Sequence, residues 1–151
     1  MSDERTTPRH ILVPVDFSET ANHALDFALD LAEALGARVT LMHAYDIVSS
    51  IYPEGLILTT EMASQIQEAA SQALEAAAGR ARRPGVELTT VLRAGPPWGE
   101  VVALAAESSA DLIVMGTHGR RGLKRLLLGS VAERVVRTAP CPVLTVPPWS
   151  K

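Results

Sequence analysis

Residues 111–130 read DLIVMGTHGRRGLKRLLLGS. The first six, Asp111 to Gly116, are a short and almost unbroken apolar run. Such a run fits a strand covered on both faces, as in a parallel sheet, better than a strand with one wet side. Glycines follow at once, at 116 and 119 and again at 129. From Ser130 to Arg137 the pattern turns helical. Strand, glycine-rich loop, helix is the repeating grammar of an α/β domain, and the rest of the chain continues it in both directions.

Upstream, His10–Val15 (HILVPV) is a first buried strand. Ser18–Leu35 carries Ala21, Ala24, Leu25, Ala28, Leu29, Ala32 and Leu35 at three- and four-residue steps, with Gly36 as a stop, which predicts a helix. Residues 38–44 predict a strand and 45–58 a long connection containing Pro53 and Gly55. Residues 61–83 predict a helix with Met62, Ile66, Ala69, Ala70, Ala73, Leu74 and Ala77 on one stripe, ended by Pro84-Gly85. Residues 86–93 predict a strand, AGPPWGE a turn, and 101–108 a helix. Downstream of the opening stretch, Cys141–Val146 (CPVLTV) predicts the last strand. The order βαβαβαβαβ, without internal repeats, implies a parallel sheet with right-handed crossovers and helices on both faces.

Length and composition agree. A chain of 151 residues is expected to form one domain with one core, spanning 1–151, with residues 1–8 as a flexible N-terminus. Aromatic residues make up only 4% of it, so the core must come from Ala, Val, Leu and Ile. A net charge of −3 argues against a dedicated nucleic-acid or anionic-membrane binder. The single Cys141 excludes an intrachain disulfide framework and a multi-cysteine metal site. The polar N-terminus lacks a secretory apolar region, and no apolar run reaches the length of a membrane span. A soluble, cytoplasmic protein without a membrane partner is the expectation.

Ligands of open α/β sheets bind beyond the carboxyl ends of the strands, where the glycine loop lies. Glycine lets backbone N–H groups approach an anion and point at it together. Ser130 then opens a helix whose unpaired N–H groups and positive dipole end favour a phosphate. Arg120, Arg121, Lys124 and Arg125 stand in the same loop, as phosphate partners or as solvated charges. A structural reading stands beside this one, because Ser130-Val131-Ala132-Glu133 is also a capping box. The loop lacks the GK[ST] ending of a Walker A motif, and the connection PVDFSET contains no glycine, which excludes a dinucleotide fingerprint there.

The spacing GxxG, nine residues, GS resembles the nucleotide-binding pattern of the universal stress protein family in its ATP-binding branch. ILVPVDFSETANHAL, VTLMHAYD and DLIVMGTHGRRGLKRLLLGSVAERVVRTAPCPVLTV carry the resemblance over nearly the whole chain. It implies an adenine nucleotide alpha hydrolase-like architecture, an open five-stranded parallel sheet in the order 3-2-1-4-5, and a homodimer through the strand Cys141–Val146. It implies ATP between the edges of strands one and four. Pro14 and Val15 would then line base or ribose, Ala44 the adenine and Met115 the sugar or base. Gly116, His118, Gly119, Arg120, Gly129, Ser130 and Val131 would surround the phosphates. Asp16 would contact ribose hydroxyls or a Mg²⁺ ion held through ATP; from its residues alone, D-x-x-E at 16–19 is equally a capping box for the first helix. Ala132 stands where some relatives have a threonine.

His43 and His118 lack the acidic or cysteine partners of a metal site and read as structural. Cys141 reads as buried and inert, Trp98 and Trp149 as surface cover, and Arg80, Arg82 and Arg83 as solvated charges at a helix end. No catalytic set is visible. The expected function is therefore a regulatory ATP-binding protein of the stress response with at most slow hydrolysis. The alternatives are a dimeric interaction module that binds no nucleotide and a nucleotidyl-transferring enzyme, against which stands the lack of an HxGH-type motif.

Overall fold

The computed structural model describes residues 7–47, 59–118 and 128–148. Five strands, β1 (His10–Pro14), β2 (Arg38–Tyr45), β3 (Leu88–Ala94), β4 (Leu112–Gly116) and β5 (Val143–Val146), form one parallel sheet in the order β3-β2-β1-β4-β5. Four helices, α1 (Glu19–Leu35), α2 (Thr60–Ala81), α3 (Pro97–Glu107) and α4 (Ser130–Thr138), alternate with the strands among the described residues. Residues 1–6, most of the long connection (48–58), the basic stretch 119–127 and Trp149 lie outside the described residues.

Strand side chains alternate between two apolar layers. Ile11, Val13, Val39, Leu41 and Leu88 pack with Ala24, Ala28, Leu29, Leu74 and Ala78 of α1 and α2. Leu12, Met42, Ile113 and Met115 pack on the other face with Val101, Leu104, Ala132 and Val135 of α3 and α4. Because both faces are covered, strands one and four carry no polar alternation, which is why they read as continuous apolar runs.

Several local expectations are corrected. The cap of α1 is Ser18, whose Oγ accepts from the Ala21 N–H at 3.2 Å, rather than Asp16, so D-x-x-E is not a capping box there. Gly36 closes α1 at φ +68°, a conformation that glycine adopts without a Cβ clash. Helix α3 starts at Pro97, inside the stretch that reads as a turn, because proline at the first helical position lacks an N–H that would be unpaired anyway. Thr59, not singled out in the sequence, caps α2 by accepting from the Met62 N–H at 3.1 Å.

The apolar stripe of α2 is buried only in its second half, at Leu74, Ala77, Ala78 and Ala81, while Met62 is 40% exposed. Twenty-two helical residues span about 33 Å, longer than the strands beneath them, so the first turns overhang the sheet. Arg82 and Arg83 are not merely solvated. Arg82 donates to the Leu88 carbonyl at 3.1 Å, and Arg83 pairs with Asp30 and Glu33 of α1.

Candidate functional site

Strands β1 and β4 are neighbours whose following helices leave on opposite faces of the sheet, a topological switch point. Their ladder contains only two pairs, Ile11↔Leu112 and Leu12↔Ile113, although β1 continues beside β2 to Pro14 and β4 beside β5 to Gly116. The chemistry of β1 explains the gap. The His10 carbonyl accepts from the Asp111 N–H on the β4 side, and the Val15 N–H donates to Met42 on the β2 side. Alternation therefore turns the nitrogen of residue 14 toward β4, and proline has no hydrogen to give there.

A cleft of about 630 Å³ opens over this gap, a volume usual for small-molecule sites. Pro14, Val15, Asp16, Ala44, Met115, Gly116, His118, Gly129, Ser130 and Val131 all line it. The structure thus brings together the sequence-predicted site residues that are described; Gly119 and Arg120 lie outside the described residues. Ala21, Pro97, Val101 and Thr117 also line the cleft and were missed, and Ala132, noted in the sequence only as standing where some relatives have a threonine, lines it too. Most are apolar residues whose signal in the sequence is that of core.

One wall is apolar, with Ala44, Val101 and Met115 rising from the sheet and α3. Across it stands the start of α4. Its N-cap is Gly129, whose N–H donates to the Thr117 carbonyl at 2.6 Å and whose carbonyl accepts from Glu133. The cap residue Gly129 has no side chain to offer, Ser130 is already the first helical residue, and Glu133 pairs with Arg137 at 2.8 Å, so the Ser130 capping box of the alternative reading is absent. The N–H groups of Ser130, Val131 and Ala132 have no intrahelical acceptor, and the positive end of the helix dipole faces the cleft.

Asp16 follows β1, with Oδ1 accepting from the Ser18 N–H at 3.0 Å. It is the only carboxylate among the described lining residues. The described residues hold no group of three or more His, Cys, Asp or Glu fit for a metal ion, so a cation here would need most of its oxygens from a ligand and water, as Mg²⁺ accepts readily.

Gly116 has a packing role that the sequence reading did not foresee. A Cβ there would lie 2.8 Å from Thr20 Cγ2 on α1. His118 is buried and shares a 2.8 Å hydrogen bond between Nδ1 and Thr117 Oγ1. His43 is not in the cleft wall; its Nδ1 lies 2.7 Å from the Val15 carbonyl. Trp98, expected as surface cover, stacks under the Arg134 guanidinium at 5.1 Å and joins α3 to α4. Cys141 is half-buried, and burial, aided by the Asp111 carboxylate, pushes its thiol pKa up, which suits an inert residue.

These features define an open parallel α/β domain with a cleft at its switch point. The universal stress protein family model matches residues 7–147, and the chain belongs to that family. It is 38% identical over 141 residues to the universal stress protein MJ0531 of Methanocaldococcus jannaschii, covering 91% of this chain and 81% of that one. The solved structure of MJ0577 from the same organism superposes with a TM-score of 0.81 at 31% identity, covering 96% of this chain and 99% of its own. A universal stress protein from Archaeoglobus fulgidus in complex with dAMP superposes with a TM-score of 0.59 at 28% identity, covering 91% and 97%.

Proposed function

We propose that the cleft binds ATP with Mg²⁺ and that this universal stress protein is a nucleotide-responsive regulator with at most slow hydrolysis. The observation that carries this reading is the start of α4, where the N–H groups of Ser130, Val131 and Ala132 have no intrahelical acceptor, facing an apolar slot with Asp16 at its rim. The slot suits a flat base, the helix start suits phosphate, and Asp16 suits ribose or a phosphate-bound cation. The dAMP complex of the Archaeoglobus relative supports the same ligand class. Gly119 and Arg120 are assigned to the phosphates on the motif alone.

The edge position of β5 supports the expected homodimer, since an edge strand presents unpaired backbone groups to a second copy. Calorimetric titration of the purified chain with Mg-ATP, with ATP plus chelator, and with AMP tests the reading, alongside mass spectrometry of nucleotide retained on gentle purification. Saturable Mg-ATP binding with turnover well below about 1 per second is expected. An empty protein without affinity for any of the three overturns it in favour of an interaction module, and faster turnover favours an enzyme.

A further inference from the structure

We propose that His43, which does not line the cleft and meets its wall through the Val15 carbonyl, is a positioning residue that aims Asp16 into the cleft. The inference rests on the nucleotide reading above for its functional consequence, but not for its geometry.

Asp16 sits between two residues that are both tied to the His43 ring. On one side, the Val15 carbonyl is 2.7 Å from His43 Nδ1. A carbonyl oxygen only accepts, so the imidazole must carry its hydrogen on Nδ1. On the other side, Phe17 has φ +67°, a left-handed conformation that is costly for a bulky side chain and persists only where its surroundings enforce it. Its ring centroid lies 4.4 Å from that of His43, tilted by 45°. The chain therefore leaves β1, passes Asp16 in a forced turn, and enters α1 through Ser18, whose N–H holds Asp16 Oδ1.

Strand alternation places His43 and Ala44 on opposite faces of the sheet. Ala44 lines the cleft with its neighbours of the α3 and α4 layer, while Phe17 packs on the α1 and α2 layer where His43 meets it. Among the described contacts, the imidazole thus reaches the site through the turn that it holds. Without it, the Val15 carbonyl loses its donor and the Phe17 conformation loses its support, so the Asp16 carboxylate is no longer directed at one place.

Two substitutions separate the donor from the ring. His43→Asn keeps an N–H donor near the Nδ1 position, and His43→Phe keeps an aromatic surface against Phe17 but has no donor. In Mg-ATP titrations, H43F should weaken binding about tenfold, the scale of one lost hydrogen bond, and H43N should stay within about threefold of the wild type. In an Asp16→Ala background, H43F should have no further effect, because its action runs through that carboxylate. A merely structural role would not show that loss of effect. Equal weakening by H43F and H43N, or an undiminished H43F effect without Asp16, overturns the proposal.

The nucleotide-free protein supplies an independent readout. Nitrogen-15 histidine spectra, assigned with H43N, should show the hydrogen of His43 on Nδ1, and the Ser18 amide should exchange about tenfold faster in H43F. A neutral His43 protonated on Nε2 overturns the clamp even if nucleotide binds. Failure of the wild type to bind any adenine nucleotide overturns the cleft reading instead, while the amide exchange still decides the turn.

Discussion

Gly116→Ala adds a single methyl group at the end of β4, and the geometry gives its cost. The new Cβ would lie 2.8 Å from Thr20 Cγ2 and 3.3 Å from the Thr20 carbonyl carbon and oxygen, whereas carbon atoms pack best at about 3.5–4.0 Å. The methyl of Thr20 can turn away only by a χ1 change, which a β-branched helical residue makes at some cost. Its carbonyl belongs to the first turn of α1 and cannot turn at all. Overpacking of this kind costs about 1–3 kcal/mol. For a chain of this length, about 2 kcal/mol lowers Tm by roughly 4–8 °C. Thr20→Ser removes the methyl and should itself cost within about 0.5 kcal/mol. The double variant should recover about half of the loss, because the carbonyl contact remains, giving a coupling energy of about 1 kcal/mol. Urea unfolding of the four proteins measures the cycle. G116A within about 0.5 kcal/mol of the wild type, or no recovery in the double variant, would show that contact with α1 is not what requires glycine there.

Three further outcomes are expected. Asp16→Ala should weaken Mg-ATP binding by tenfold or more, about 1.4 kcal/mol, and metal-free ATP less; equal losses in titrations with and without chelator would remove the metal role. Ser18→Ala should cost about 1 kcal/mol of stability through the lost α1 cap, read as a shift of the urea midpoint without a change in slope, and no shift would contradict the cap. His10 is buried, its Nε2 shares a 2.7 Å hydrogen bond with Thr40 Oγ1, and burial foremost, with help from Arg38, lowers its pKa below 6.5. The unfolded chain therefore takes up this proton first as pH falls, so stability is full above about pH 6.5 and declines from there toward the folded pKa. His10→Gln should flatten urea midpoints measured between about pH 5 and 7.5; an unchanged slope would refute the linkage.

Element order was legible because the buried strands are continuous apolar runs and α1 carries both its stripe and its Gly36 stop. The sheet order was not in the periodicity; it came from the resemblance carried by GxxG, nine residues, GS, and the backbone pairing agrees with it. What the sequence could not show depends on contacts between distant segments. The pressure on Gly116 comes from Thr20 on another element, and the Val15 carbonyl is held by a histidine one strand away. Phe17 takes a left-handed conformation without being the glycine or asparagine that would announce it. Ser130-x-x-Glu133, the alternative reading, fails in the opposite sense: the pattern is present, but the chain enters the helix at Gly129, and Glu133 turns to Arg137.

Pro14 joins these two kinds of reading. A proline in a run such as HILVPV argues against a central strand, because the ladder loses a donor. Here β1 is the central strand, and the loss is confined to the side facing β4. On the β2 side the neighbouring Val15 N–H still reaches Met42, so β1 stays anchored while its other edge is released. The missing donor opens the sheet beside Met115 and Gly116, the floor of the cleft. A residue at position 14 that restored an N–H would favour an extra β1–β4 rung and narrow the slot. The proline that weakens the strand pattern is therefore part of what makes room for the cleft.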